Sequence, residues 1–107
     1  METPAYLSAA KGLLSDRERD EVVSIVAKNP ETGVSLGGGI RKMRIARPGR
    51  GKSSGARVVF LFCGENTPVF LLTVFAKNEK ANLSARERTA LATAAKNLIE
   101  DYGGRKP

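Results

Sequence analysis

Arg57-Val58-Val59-Phe60-Leu61-Phe62-Cys63 is the stretch on which the fold turns. After its first residue it is wholly apolar and rich in β-branched and aromatic types, so it reads as a central strand. The segment Ile40 to Arg47 alternates instead: Met43 and Ile45 fall on one face, Lys42 and Arg44 on the other. That period of two predicts a half-buried strand with a basic outer face. Between these strands, Pro48 to Gly55 holds three glycines and two serines and reads as a loop carrying Arg50 and Lys52. On the other side, Gly64-Glu65-Asn66-Thr67 is a turn, Pro68 sits where a strand can begin, and Val69 to Phe75 is the returning strand.

Helical spacing flanks this core. Ser15-Asp16-Arg17-Glu18 is a capping box, with Ser15 as N-cap and Glu18 reaching back to it. Val22, Ile25 and Val26 follow at helical spacing, and Asn29-Pro30 stops the helix. Tyr6, Leu7 and Leu13 suggest a short earlier helix interrupted by Gly12, while Gly37-Gly38-Gly39 marks the loop where the period changes. A second capping box, Ser84-Ala85-Arg86-Glu87, opens the last helix, whose stripe is Leu91, Ala94, Ala95, Leu98 and Ile99 and which Gly103-Gly104 ends. The order predicts one small α+β domain over residues 1–107. Its antiparallel sheet of three strands would be packed on one side by two N-terminal helices and one C-terminal helix.

Composition excludes several chemistries. The 107 residues, 41% hydrophobic and 27% charged, suit a globular protein. No apolar run exceeds strand length, so no membrane helix and no membrane partner are expected. Met1-Glu2-Thr3-Pro4 lacks the basic start and apolar core of a signal peptide, and Cys63 is the single cysteine, which together predict a cytoplasmic location. Without histidine there is no Ser-His-Asp triad and no His-based zinc site, and one cysteine cannot build a metal cage. Neither a metal nor another cofactor is expected. Cys63 reads as an inert core residue. Phe60, Phe62, Phe70 and Phe75 likewise read as mostly core.

The charge is concentrated. Arg41, Lys42, Arg44, Arg47, Arg50, Lys52 and Arg57 equal the net charge of +7, and no acidic residue lies between Thr32 and Gly64. Such a directional field suits a polyanion. Ala46 to Ser53 matches a loose P-loop pattern, but that loop needs a helix after it, and here Ser54-Gly55 leads into a strand. A generic phosphate contact is the better reading. If the strands pair in order, Arg44, Arg57 and the residues near Phe75 approach one surface. Ala76-Lys77-Asn78-Glu79-Lys80 adds two cations and one carboxylate at a strand end.

RNA can be cut without a metal. Its 2′-OH attacks the adjacent phosphate when a base takes the proton, cations stabilise the phosphorane and an acid protonates the leaving oxygen. Lys52, Arg57, Lys77 and Glu79 are residues of the right types, with Tyr102 a further candidate acid or base. The bland reading is that Lys77 and Glu79 solvate a turn, that Tyr102 packs a helix end and that the basic run is a solvated face.

The segments Gly38-Gly39-Ile40-Arg41-Lys42-Met43-Arg44, Gly51 to Val59 and Leu71 to Glu79, with Leu83-Ser84 opening a helix, resemble the RelE/HigB group of bacterial toxins, in its HigB-like branch. The resemblance spans about residues 13 to 99. It implies a type II toxin–antitoxin protein, a ribosome-dependent mRNA interferase that cuts the codon in the A site without a metal. By matching position, Arg57 would stabilise the phosphate, with Lys52 and Lys77 joining in charge stabilisation or proton transfer. Arg41, Lys42, Arg44, Arg47, Arg50 and Lys80 would hold RNA. The implied partners are the ribosome, mRNA and a cognate antitoxin, commonly of helix-turn-helix type. The family's N-terminal strand would bring the sheet to four, with Met1 to Ala5 available for it. Two alternatives stay open: a ParE-like non-cleaving toxin that inhibits DNA gyrase, and a non-catalytic RNA-binding module.

Overall fold

The computed structural model describes residues 1–45, 55–64, 67–77 and 82–103, with residues 102 and 103 described by their backbone alone. Helices α1 (Pro4–Ala10) and α2 (Asp16–Lys28) come first, then strands β1 (Val34–Gly37), β2 (Ile40–Ile45), β3 (Ala56–Leu61) and β4 (Phe70–Ala76), then helix α3 (Ala85–Gly103). The strands form one antiparallel sheet in the order β1-β2-β3-β4. Among the described residues no helix is long and apolar enough to cross a membrane.

Local chemistry sets the ends of these elements. The Thr3 side chain accepts from the Tyr6 amide and caps α1, which ends before Gly12 and so excludes Leu13. At α2 the Ser15 and Glu18 side chains accept reciprocally from each other's backbone amides. Ser84 and Glu87 do the same at the start of α3. Each pair satisfies two amides that a helix start would leave open.

The fourth strand is Val34–Gly37, whose last residue is the first of the three glycines expected to form a loop. Gly37 pairs with Ile40, leaving Gly38 and Gly39 as a two-residue hairpin turn at φ +63° and +86°. Positive φ at both central residues is what such a turn demands, and glycine reaches it without strain. Polar exposure hides this strand, because Val34, Ser35 and Gly37 face solvent at the sheet edge. The N-terminus contributes a single parallel bridge, Glu2 to Leu71, beside β4.

Helices cover both faces of the sheet rather than one. On the first face, Tyr6, Ala10, Val22 and Val26 pack with Met43, Ile45, Val58, Phe60 and Val74. On the second, Ala95 and the partly buried Leu83, Leu91 and Leu98 pack with Ile40, Val59, Leu61, Phe70, Leu72 and Phe75. Alternate β3 residues therefore enter opposite cores, which explains why that strand carries no polar residue after Arg57. A register shift between Val59 and Phe60 makes Leu72 the extra residue of a bulge. The bulge sends both Leu72 and Phe75 to the α3 face and Leu71 and Val74 to the other.

Two positions test these contacts. Gly33 has φ +81°, and a Cβ there would lie 2.2 Å from the Lys42 carbonyl oxygen, whereas Gly38 at φ +63° has open space around it. Gly38→Ala should therefore cost only the left-handed strain of about 1–2 kcal/mol. Gly33→Ala should cost more, because β1 must move off β2; urea unfolding of both variants measures the difference.

The Tyr6 hydroxyl is fully buried and has no hydrogen-bond partner among the described residues. Desolvation, reinforced by the Glu2 carboxylate, pushes its pKa up to about 12 from the usual 10.0. The unfolded chain loses this proton first, so the hydroxyl carries no ionisation penalty below pH 10 and the fold loses stability as pH rises from 10 toward 12. Tyr6→Phe removes an unsatisfied hydroxyl and should raise stability by about 1 kcal/mol near neutral pH. It should also flatten the fall in stability between pH 10 and 12, as read by denaturation at several pH values.

Candidate nucleic-acid interface

Lys42, Arg44 and Arg57 fall on the α3 face of the sheet, the face they share with Ile40, Val59 and Phe75. Coverage on this face runs out along β2: Ile40 is buried, Lys42 half-buried and Arg44 exposed. β3 shows the same gradient, from buried Leu61 and Val59 to half-buried Arg57. α3 thus covers one end of this face and leaves the cationic end open.

The register brings Arg44 directly opposite Arg57, and Arg57 directly opposite Phe75. Two guanidinium groups facing each other on adjacent strands repel. Among the described residues neither makes an ion pair or a side-chain hydrogen bond, and the Arg57 Nη1 atom is buried without a partner. An anion placed between them would relieve both costs, and Arg is the residue whose planar fork suits phosphate.

Further groups gather at this end. The Lys77 amide donates to the Gly55 carbonyl at 2.9 Å, which puts Lys77 one position past the Ala56–Ala76 pair. Lys77 is exposed. Residues 46–54, with Arg47, Arg50 and Lys52, join Ile45 to Gly55 here, but they lie outside the described residues, as do Glu79 and Lys80. The side chain of Tyr102 also lies outside them. The P-loop alternative lacks its helix, since β3 begins at Ala56.

Arg41 points the other way. It shares the Met43 and Ile45 face, and its guanidinium donates to the backbone carbonyls of Glu31, Thr32 and Gly33. These bonds brace the turn between α2 and β1. Lys42 donates from Nζ to Asn82 Oδ1 at 3.0 Å, a contact between β2 and the approach to α3. Asn82 was not among the residues singled out in the sequence, because nothing local marks a lone asparagine before a helix.

Other features carry less chemistry. Cys63 lies beyond β3 and is exposed rather than in the core, and desolvation pushes its thiol pKa up, away from the reactive thiolate. Phe75, the ring nearest Arg57 in register, is 6% exposed, so it offers little face for stacking on a base. A groove of about 1000 Å³ runs between α3, the outer edge of β4 and Thr3 to Ala5. Its ionisable lining residues are Glu87, Glu100 and Asp101, all acidic, so it does not belong to the cationic face.

Arg41→Ala strips three carbonyls of a charged donor. It should lower the unfolding free energy by about 1–3 kcal/mol in urea, whereas Arg44→Ala, which breaks no ion pair or side-chain hydrogen bond among the described residues, should leave it nearly unchanged.

The sheet order, the helices on both faces and the cationic end agree with one comparison. The model of a protein family described as the RelE toxin of the RelE / RelB toxin-antitoxin system matches residues 7–103. That span takes in all four strands, α2, α3 and most of α1, and the chain belongs to this RelE toxin family.

Proposed function

We propose that the chain, as a single toxin domain of the HigB-like branch, is a metal-independent endoribonuclease that cleaves mRNA in the ribosomal A site. The observation that carries this reading is the Arg44–Arg57 couple on the open end of the α3 face, unpaired among the described residues. A scissile phosphate seated between the two guanidiniums gains most as charge builds up on its oxygens in the phosphorane. Stabilisation of that kind typically accounts for about 10²–10³ in rate per donor.

In the step itself, a base takes the 2′-OH proton and O2′ attacks the adjacent phosphorus. The bond from phosphorus to the 5′ oxygen breaks, and an acid protonates that oxygen. The products are a 2′,3′-cyclic phosphate and a free 5′-OH. Arg57 stabilises the phosphorane, while Lys77, at the same end of the sheet, and Lys52 add charge or move protons. Glu79 and Tyr102 are the remaining acid–base candidates. Lys42, Arg44, Arg47, Arg50 and Lys80 hold messenger and ribosomal phosphates, and Arg41 supports that surface through the turn it braces. The protein acts in the cytoplasm, and a cognate antitoxin of helix-turn-helix type restrains it.

Arg57→Leu separates function from folding. It removes a buried, unsatisfied charged nitrogen, so stability in urea should hold or rise, while toxicity and cleavage fall by at least about 10². Mapping 5′ ends of cellular mRNA after brief expression should give codon-spaced cuts for wild type and none for the variant. Intact mRNA with blocked DNA supercoiling would replace this reading with gyrase inhibition. RNA binding without growth arrest would leave only a binding module.

A further inference from the structure

We propose that Lys42 and Asn82 form a subsite beside the Arg44–Arg57 couple whose outward-facing groups are N–H donors, one that takes a group of the RNA strand presenting adjacent hydrogen-bond acceptors. This rests on the reading of the α3 face as an RNA surface. Lys42 follows the strand alternation onto the same face as Arg44, about 6.6 Å further along β2. Its ammonium has three donors and no acceptor, and one donor is used on Asn82 Oδ1 at 3.0 Å.

That single contact orients the Asn82 carboxamide. An ammonium binds the oxygen and repels the amide nitrogen, so Oδ1 faces Lys42 and both Nδ2 hydrogens are left for another partner. Among the described residues Nδ2 donates to nothing. Lys42 and Asn82 are both held from behind. Val59, the register partner of Lys42, is fully buried. Asn82 precedes Leu83, which packs into the α3-face core, and Ser84, which is locked in the capping box. No ion pair with a described carboxylate neutralises Lys42.

The resulting pair turns N–H groups outward, because its one carboxamide oxygen is turned onto the Lys42 ammonium. It matches a backbone phosphate, or the guanine edge where O6 and N7 lie side by side. It disfavours adenine, whose N6 amino group sits beside N7 and would face the outward N–H groups, and the N4 amino group of cytosine. Asn82 is thus a binding residue, and Lys42 is both a contact and its orienting partner.

Fluorescence anisotropy with short 2′-O-methyl RNA oligonucleotides, which cannot be cleaved, tests this without any turnover. Asn82→Ala should weaken binding about five- to tenfold. Asn82→Asp, which keeps an acceptor for Lys42 but loses both donors, should weaken it further. Lys42→Ala should cost less in the Asn82→Ala background than in wild type. Two modified series then identify the group. If it is a phosphate, one neutral methylphosphonate linkage weakens wild type and erases its advantage over Asn82→Ala. If it is guanine, 7-deazaguanine at one position does so instead.

Either erasure supports the subsite. Equal binding by wild type and Asn82→Ala overturns it, as does a loss in Asn82→Ala that survives every modified oligonucleotide. Wild type that binds while Asn82 is neutral strikes this inference alone. Wild type that binds no oligonucleotide removes the RNA reading of the whole face with it.

Discussion

Burial of β3 on both faces is the constraint from which the rest of the structure follows. Val58 and Phe60 enter the core under α1 and α2, while Val59 and Leu61 enter the core under α3, and all four are at most 1% exposed. Each such side chain contributes about 1.5–3 kcal/mol by leaving water, so neither layer of helices can be removed cheaply. Flanking strands must then supply apolar residues to both faces as well. β4 does so with a bulge at Leu72, and β2 does so only in part. The one polar side chain of β3, Arg57, sits at the strand end where the upper layer stops.

That incomplete coverage creates the cationic surface. α3 protects Ile40, Val59, Leu61 and Phe70, and the alternation of β2 carries Lys42 and Arg44 progressively out of its shelter. The basic window is consequently divided. Arg41, one residue out of phase, turns to the other face and spends its donors on backbone carbonyls. Lys42, Arg44 and Arg57, in phase with one another, stand together on the open end. A run of cations that looks uniform in sequence thus contains a fold-supporting residue and a ligand-ready group, distinguished by the strand's period of two.

Much of this was legible from local features. The two capping boxes, the stop at Asn29-Pro30 and the central strand all lie close to where their residue types required. β1 was not legible, since an edge strand of four mostly exposed residues next to three glycines lacks both alternation and apolar content. The helices on both faces were half visible: a continuous apolar run needs cover above and below, and the expectation of one-sided packing overlooked that. Cys63 lay two residues past the strand end, where a run of apolar letters continued but the pairing did not. Asn82 was invisible because its partner is forty positions away in sequence.

The sequence by itself determined every element but β1, the order of the rest, the excess of positive charge and the absence of histidine, because these depend on composition or on neighbours within a few residues. Tertiary structure alone decided which cations face each other. The pairing of Arg44 with Arg57, and of Arg57 with Phe75, follows from the register that the Gly38-Gly39 turn and the Leu72 bulge impose. Whether those cations meet solvent depends on how far α3 reaches across the sheet. Register and reach are non-local, and a shift of one residue would send every one of these side chains to the opposite face.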